Sequence, residues 1–121
     1  MTQLEALIAL RDAVEAGTAN AKQFQAVWPG YMGLTTLRAV KAREAYGGSL
    51  DAALALKDAV LPGWGWMAGD KGTVTVIPPE RMYAETGLIG PTCRIADDPA
   101  RAMLLAILAA LIAQAGANEG R

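Results

Sequence analysis

Basic side chains are concentrated in one short segment: Arg38, Lys41 and Arg43. Tyr46 follows them, and the segment Gly47-Gly48-Ser49 then leads into a predicted helix. Such a helix entry exposes backbone N–H groups, and the positive end of the helix attracts anions. Nearby guanidinium groups would add paired hydrogen bonds to a phosphate or carboxylate. These residues are the best candidate for an anion-binding site, the alternative being a solvated helix face that Glu44 and Asp51 already balance.

Two tryptophans, Trp64 and Trp66, could supply aromatic contacts to a ligand. They are two positions apart in a predicted strand, so we expect them on one face of the sheet. Exposed aromatic rings can stack on a nucleobase. Large aromatics on a small sheet more commonly form the core beneath a helix. Both interpretations, as well as one ring in each role, stay open.

The composition excludes several kinds of chemistry. The chain of 121 residues has no histidine and a single cysteine, Cys93. Histidine is the most common metal ligand and general base, and it is what usually activates a cysteine nucleophile. The formal net charge of −1 argues against general nucleic-acid binding. We therefore expect a non-enzymatic protein with no cofactor and no metal.

Helical signals dominate the first half of the chain. Thr2 and Glu5 have the spacing of a capping box, and Gly17 marks the end of a helix over residues 3–16. A short helix over residues 21–27 and a longer one over 34–45 are predicted next. Ser49 is a favourable N-cap for a helix that ends before Pro62-Gly63.

The second half predicts a small sheet and a long helix. Residues 64–68 and 73–77 favour an antiparallel hairpin around a turn at 69–72, and a third strand is predicted at about 92–95. Asp97 or Asp98 would cap a final helix with Pro99 in its first turn. This helix is predicted to end at about residue 115.

These elements predict one α+β domain, a three-stranded antiparallel meander packed by helices in a sandwich-like arrangement. Its parts are a helical segment at 1–45, an α-β-β-β-α core at 46–115 and a frayed tail at 116–121. The last helix is apolar almost all round, which one small subunit can hardly bury. We therefore expect a homo-oligomer formed through this helix.

No membrane association is expected. The longest uncharged apolar run, residues 102–113, is shorter than the roughly 20 residues that a bilayer requires. The N-terminus lacks the basic start and the cleavage site of a secretory signal. We expect a cytoplasmic protein.

The chain resembles a family of small phage and prophage proteins, the phage α-β-α sandwich family. The similarity covers roughly residues 46–114. It rests on Tyr46, on the run from Ser49 to Leu56, on Leu61-Pro62-Gly63-Trp64-Gly65-Trp66, and on the Pro99-Ala100-Arg101-Ala102 entry into the last helix. The family has no established activity, so the resemblance implies only a fold and a phage or prophage origin. A phage protein would act in the cytoplasm of the host cell.

Two functions are consistent with these features. The first is an accessory protein that binds and sequesters a small anionic ligand as an oligomer, for example a nucleotide signal of antiphage defence. Its ligand-binding residues would be drawn from Arg38, Lys41, Arg43, Tyr46, Ser49, Trp64 and Trp66. The second is an adaptor in virion assembly or host interaction, without a small-molecule ligand. An enzyme ranks third.

Overall fold

A computed structural model describes residues 2–29, 34–69, 73–79, 92–94 and 98–119. Along this part of the chain the helices are α1 (Gln3–Ala16), α2 (Ala21–Val27), α3 (Leu34–Tyr46), α4 (Leu50–Val60) and α5 (Pro99–Glu119). The strands are β1 (Gly65–Ala68), β2 (Thr73–Ile77) and β3 (Thr92–Arg94). The predicted α+β class and the long apolar C-terminal helix are confirmed.

The helix ends follow the predicted local signals. The Thr2 hydroxyl accepts a hydrogen bond from the Glu5 backbone N–H at 3.1 Å, and Gly17 ends α1 with a φ of 77°. This left-handed conformation strains any residue with a side chain, which explains the glycine. Ser49 caps α4 by accepting from the Ala52 N–H at 3.2 Å.

The sheet is built on an antiparallel hairpin. In β1 and β2, Trp66 lies opposite Val76, and Ala68 lies opposite Val74. The three-residue strand β3 pairs antiparallel with the other side of β2. Residues 70–72 of the predicted turn, and the flanks of β3, lie outside the described residues. The described part shows helix α5 packed against β2 and β3, whereas a full sandwich with helices over both faces is not shown.

Helix α5 is the centre of the core. It packs against α1, α4 and β2, and every residue from 102 to 108 is buried. The chain thus buries within itself most of the apolar side chains that led us to expect an oligomer. Leu111 and Ile112 are half-buried. Self-association through this helix stays a prediction, and these two side chains are the part of the helix that could contact a second copy.

The end of α5 differs from the prediction. The helix continues to Glu119, beyond its predicted end at about residue 115. Residues 120 and 121 lie outside the described residues, and fraying of the tail stays a prediction. Its start is as expected, because the Asp98 carboxylate accepts from the Arg101 backbone N–H at 3.0 Å. Asp97, the alternative cap, is not among the described residues.

By length and composition, α5 also suits a membrane span. The window Pro99–Gly116 has a mean hydropathy of 1.6, and half of it is buried inside the fold. A core helix of a globular protein has the same character. Within the described structure, α5 contacts α1, α3, α4 and the sheet.

Candidate functional site

The predicted basic cluster lies on α3, and its residues line three cavities, one of which, of about 410 Å³, is lined by Arg38 together with residues of α1, α4 and α5. Arg38 and Lys41 line a groove between α3 and α4. Arg43 lines a cleft between α2 and α3. An α-helix turns by about 100° per residue, so positions 38 and 41 share a side and position 43 points elsewhere. The structure thus places Arg38 and Lys41 on a different side of α3 from Arg43, and anion binding by any of them stays a prediction.

The α2–α3 cleft is the larger cavity, with a volume of about 580 Å³. This volume falls in the range of small-molecule pockets, roughly 300–1,000 Å³. One wall comes from α2 and the residues before it, and the other from α3. The lining residues are Ala19, Asn20, Ala21, Phe24, Val40, Arg43, Glu44 and Tyr46.

Tyr46 is held in place from two sides. The guanidinium carbon of Arg101 lies 4.8 Å from the centre of the tyrosine ring, a cation–π contact. The Phe24 ring packs at a centroid distance of 6.0 Å with an interplanar angle of 55°. Arg101 is itself positioned by an ion pair, in which its Nε lies 3.5 Å from the Asp98 Oδ2. The aromatic wall of the cleft is thus preorganised by α2 and α5.

Arg43 is a cation of the cleft that has no partner among the described residues. Its side chain is exposed and forms no ion pair or hydrogen bond with the residues that the structure describes. The neighbouring carboxylate, Glu44, lies 3.5 Å from the Lys41 ammonium. The guanidinium of Arg43 can therefore offer its donors to an anion.

The α3–α4 groove is smaller, about 280 Å³, and mostly apolar. Its lining consists of Leu37, Arg38, Lys41, Ala55, Leu56 and Ala59. Arg38 Nη2 donates a long hydrogen bond of 3.4 Å to the Ala59 carbonyl oxygen. Its Nε is shielded from solvent and has no partner among the described residues. The groove thus combines an apolar surface with a guanidinium that has unused donors.

The other three predicted residues line neither cavity. Ser49 uses its hydroxyl to cap α4. Trp64 precedes β1 and packs half-buried against the core, which is the core role considered for it. Trp66 lies in β1 at the sheet edge and is 40% exposed. The structure therefore brings together only Arg43 and Tyr46 on one side of α3, and Arg38 and Lys41 on the other.

Sequence reasoning missed Phe24, Asn20 and Arg101. The Asn20 side chain forms a capping box with Gln23 at the start of α2, and this Asn-x-x-Gln spacing was a readable signal. Phe24 is the only phenylalanine of the chain, but its place beneath Tyr46 depends on how α2 packs on α3. Arg101 lies on α5, so its contact with Tyr46 depends on how α5 packs on α3.

The described lining of the two cavities can be compared with the requirements of catalysis and of metal binding. Neither cavity lining holds a pair of carboxylates or a nucleophile with an adjacent base. In the described part of the chain, no group of three or more His, Cys, Asp or Glu side chains could hold a metal ion. What the two cavities offer is positive charge beside apolar surface.

Comparison with protein-family models, with curated proteins and with solved structures finds no match for this chain. The resemblance to the phage α-β-α sandwich family consequently stays a prediction.

Proposed function

We propose that this protein is a non-enzymatic binding protein that sequesters a small anionic ligand in the α2–α3 cleft. The observation that carries the proposal is the Arg43 guanidinium, which has no partner in the described part of the chain, beside the Phe24–Tyr46 aromatic wall. A cation that is free to pair, next to a rigid apolar surface, suits a ligand with a negative group and a flat ring. A nucleotide has both parts.

Each part of such a ligand has a complement in the cleft. A phosphate would accept paired hydrogen bonds from Arg43. A base would lie against Tyr46 and against Val40, which is 41% exposed. Because Arg101 and Phe24 already hold the tyrosine ring, little side-chain freedom is lost when the ligand binds.

The biological setting is part of the same proposal. The resemblance to phage proteins supports an accessory role in an infected cell, where capture of a nucleotide signal would need no catalysis. It also supports a sandwich arrangement, with β3 completing a three-stranded sheet. An oligomer formed at the half-buried end of α5, around Leu111 and Ile112, would raise the number of binding sites per particle.

The test is calorimetric titration with a panel of cyclic and linear nucleotides. We expect at least one to bind, and we expect Arg43→Ala to weaken it by about tenfold to a hundredfold, because a hydrogen bond to a charged group contributes roughly 1.5–3 kcal/mol. Arg38→Ala is the matched control, since it removes an arginine from the same helix but from the other cavity. Absence of binding across the panel, or equal losses in both variants, would contradict the proposal.

An adaptor without a small ligand is the second candidate. It is favoured by two large apolar side chains at the edge of the sheet, Trp66 at 40% and Met67 at 49% exposure. Tryptophan and methionine are enriched at protein interfaces. This candidate predicts co-purification with a virion or host protein that Trp66→Ser abolishes and Arg43→Ala leaves intact.

A further inference from the structure

The α3–α4 groove has a chemistry that the cleft does not share. Its walls carry alkyl groups, from two leucines and two alanines, and Leu37 on the rim is 50% exposed. Both of its polar side chains, Arg38 and Lys41, are cations on the α3 side. No carboxylate lines the groove among the residues that the structure describes. An apolar channel with positive charge on one rim is complementary to an amphiphilic anion.

Arg38 has donors to spare. One of its nitrogens makes the long 3.4 Å contact to the Ala59 carbonyl, and Nε is shielded from solvent and has no acceptor among the described residues. An unsatisfied, water-shielded donor costs about 1–3 kcal/mol. The side chain is half-exposed, so the guanidinium can turn toward an incoming oxygen without movement of the backbone. A carboxylate or phosphate would relieve that cost with two parallel hydrogen bonds.

We propose that the groove binds a soluble single-chain alkyl anion. The chain lies along Leu37, Leu56 and the two alanines, and the anionic head pairs with Arg38 and secondarily with Lys41. This site is distinct from the cleft and does not depend on the function proposed for it.

The lining discriminates against other small anions. A sugar or nucleobase placed there would bury hydrogen-bonding groups against methyl groups that cannot pair with them, which is costly. An alkyl chain has no such groups to bury. The volume of about 280 Å³ lies near the lower limit for ligand pockets, which fits one chain rather than two.

The test is a titration with hexanoate, octanoate and decanoate below their micelle concentrations, with 1-octanol as the uncharged analogue. The dissociation constant is expected to fall about fourfold for each added methylene. Arg38→Gln should weaken octanoate at least tenfold while leaving 1-octanol unchanged, whereas Arg43→Gln should leave both unchanged. Circular dichroism and thermal melting verify that each variant is folded.

A blocking pair of variants provides a second measurement. Ala55 lines the groove and Ala21 lines the cleft, and both are exposed helical alanines. We expect Ala55→Leu to abolish octanoate binding by filling the groove and Ala21→Leu to have no effect on it. The proposal is overturned if no alkanoate binds at millimolar concentration, if affinity is independent of chain length, or if Ala55→Leu binds normally. Sedimentation with phosphatidylglycerol vesicles without octanoate binding would also overturn it, in favour of a membrane surface.

Discussion

The α2–α3 cleft and the α3–α4 groove share one helix but differ in size, polarity and charge. The cleft holds about 580 Å³ and contains aromatic rings, an amide, one cation and one carboxylate. The groove holds about 280 Å³, is lined by alkyl groups and has two cations on one rim. The cleft therefore suits a ligand with a ring and a charge, and the groove suits a chain and a charge.

The difference shows how a helix separates residues that are close in the sequence. Arg38 and Arg43 differ by five positions, which places them about 140° apart around the helix axis. The surroundings of each arginine are then set by the side chains of the helix that packs beside it. Helix α2 contributes Phe24 to one side, and α4 contributes Leu56, Ala55 and Ala59 to the other. A substitution on one side of α3 is therefore a suitable control for a substitution on the other side.

The largest expected effect on stability compares a cleft residue that belongs to the core with a groove residue that lies at the surface. Phe24 is 2% exposed and Leu37 is 50% exposed. We expect Phe24→Ala to lower the free energy of unfolding by about 3–5 kcal/mol, and Leu37→Ala to change it by no more than about 0.5 kcal/mol. Urea denaturation followed by circular dichroism measures both.

If Phe24→Ala does not fold, Phe24→Leu provides the measurement, with an expected loss below about 1.5 kcal/mol because it keeps most of the volume. If Phe24→Leu and Leu37→Ala lowered the free energy of unfolding by similar amounts, the cleft and the groove rim would not differ in their dependence on the core.

A smaller effect compares two cations that both reach backbone carbonyls. Lys57, whose side chain is 6% exposed, donates to the Trp64 carbonyl at 2.7 Å and so ties α4 to the start of the hairpin. Arg38 makes only the 3.4 Å contact to Ala59. We expect Lys57→Met to cost about 1–3 kcal/mol, because a charged donor is lost from a carbonyl. We expect Arg38→Met to be neutral or stabilising, because it also removes the unsatisfied Nε donor.

Thermal and chemical denaturation of the two methionine variants decide this prediction. A loss in Arg38→Met as large as that in Lys57→Met would mean that Arg38 serves the fold, which would weaken its role as a ligand-binding residue in the groove.

The smallest expected effect concerns Glu44, which lines the cleft and pairs with Lys41 of the groove. This pair is partly exposed, so Glu44→Gln should change stability by less than about 0.5 kcal/mol. Removal of the negative charge should strengthen nucleotide binding in the cleft about twofold to fivefold at low salt, from a Coulomb energy of roughly 1 kcal/mol at 4 Å in water. The gain should shrink at physiological salt, where the Debye length is about 8 Å.

Asp12→Asn is the control for Glu44→Gln, because it makes the same change in net charge on α1, where Asp12 pairs with Arg11 at 3.1 Å. Equal gains in the two variants would indicate a general charge effect and not a local one. Absence of any gain in Glu44→Gln would show that the anion binds elsewhere.

The sequence by itself determined the features whose causes lie within a few positions of the chain. Ser49 caps α4 through a residue three positions away, and Asp98 does the same for α5. Gly17 ends α1 by adopting a left-handed backbone conformation, which depends on the residue type at that one position. The β-prone run at 73–77 predicted a strand, and β2 occupies Thr73–Ile77. The presence of positive charge on α3 was equally readable.

Only the tertiary structure decided how these elements combine into sites. Arg38 reaches Ala59 across 21 positions, and Arg101 lies on the ring of Tyr46 in another helix. Residues 102–108 are buried by helices and strands from distant parts of the chain. Such contacts depend on the packing angle and register of whole helices and strands. Many weak interactions between residues that are distant in the sequence together set that packing, so no local sequence pattern predicts it.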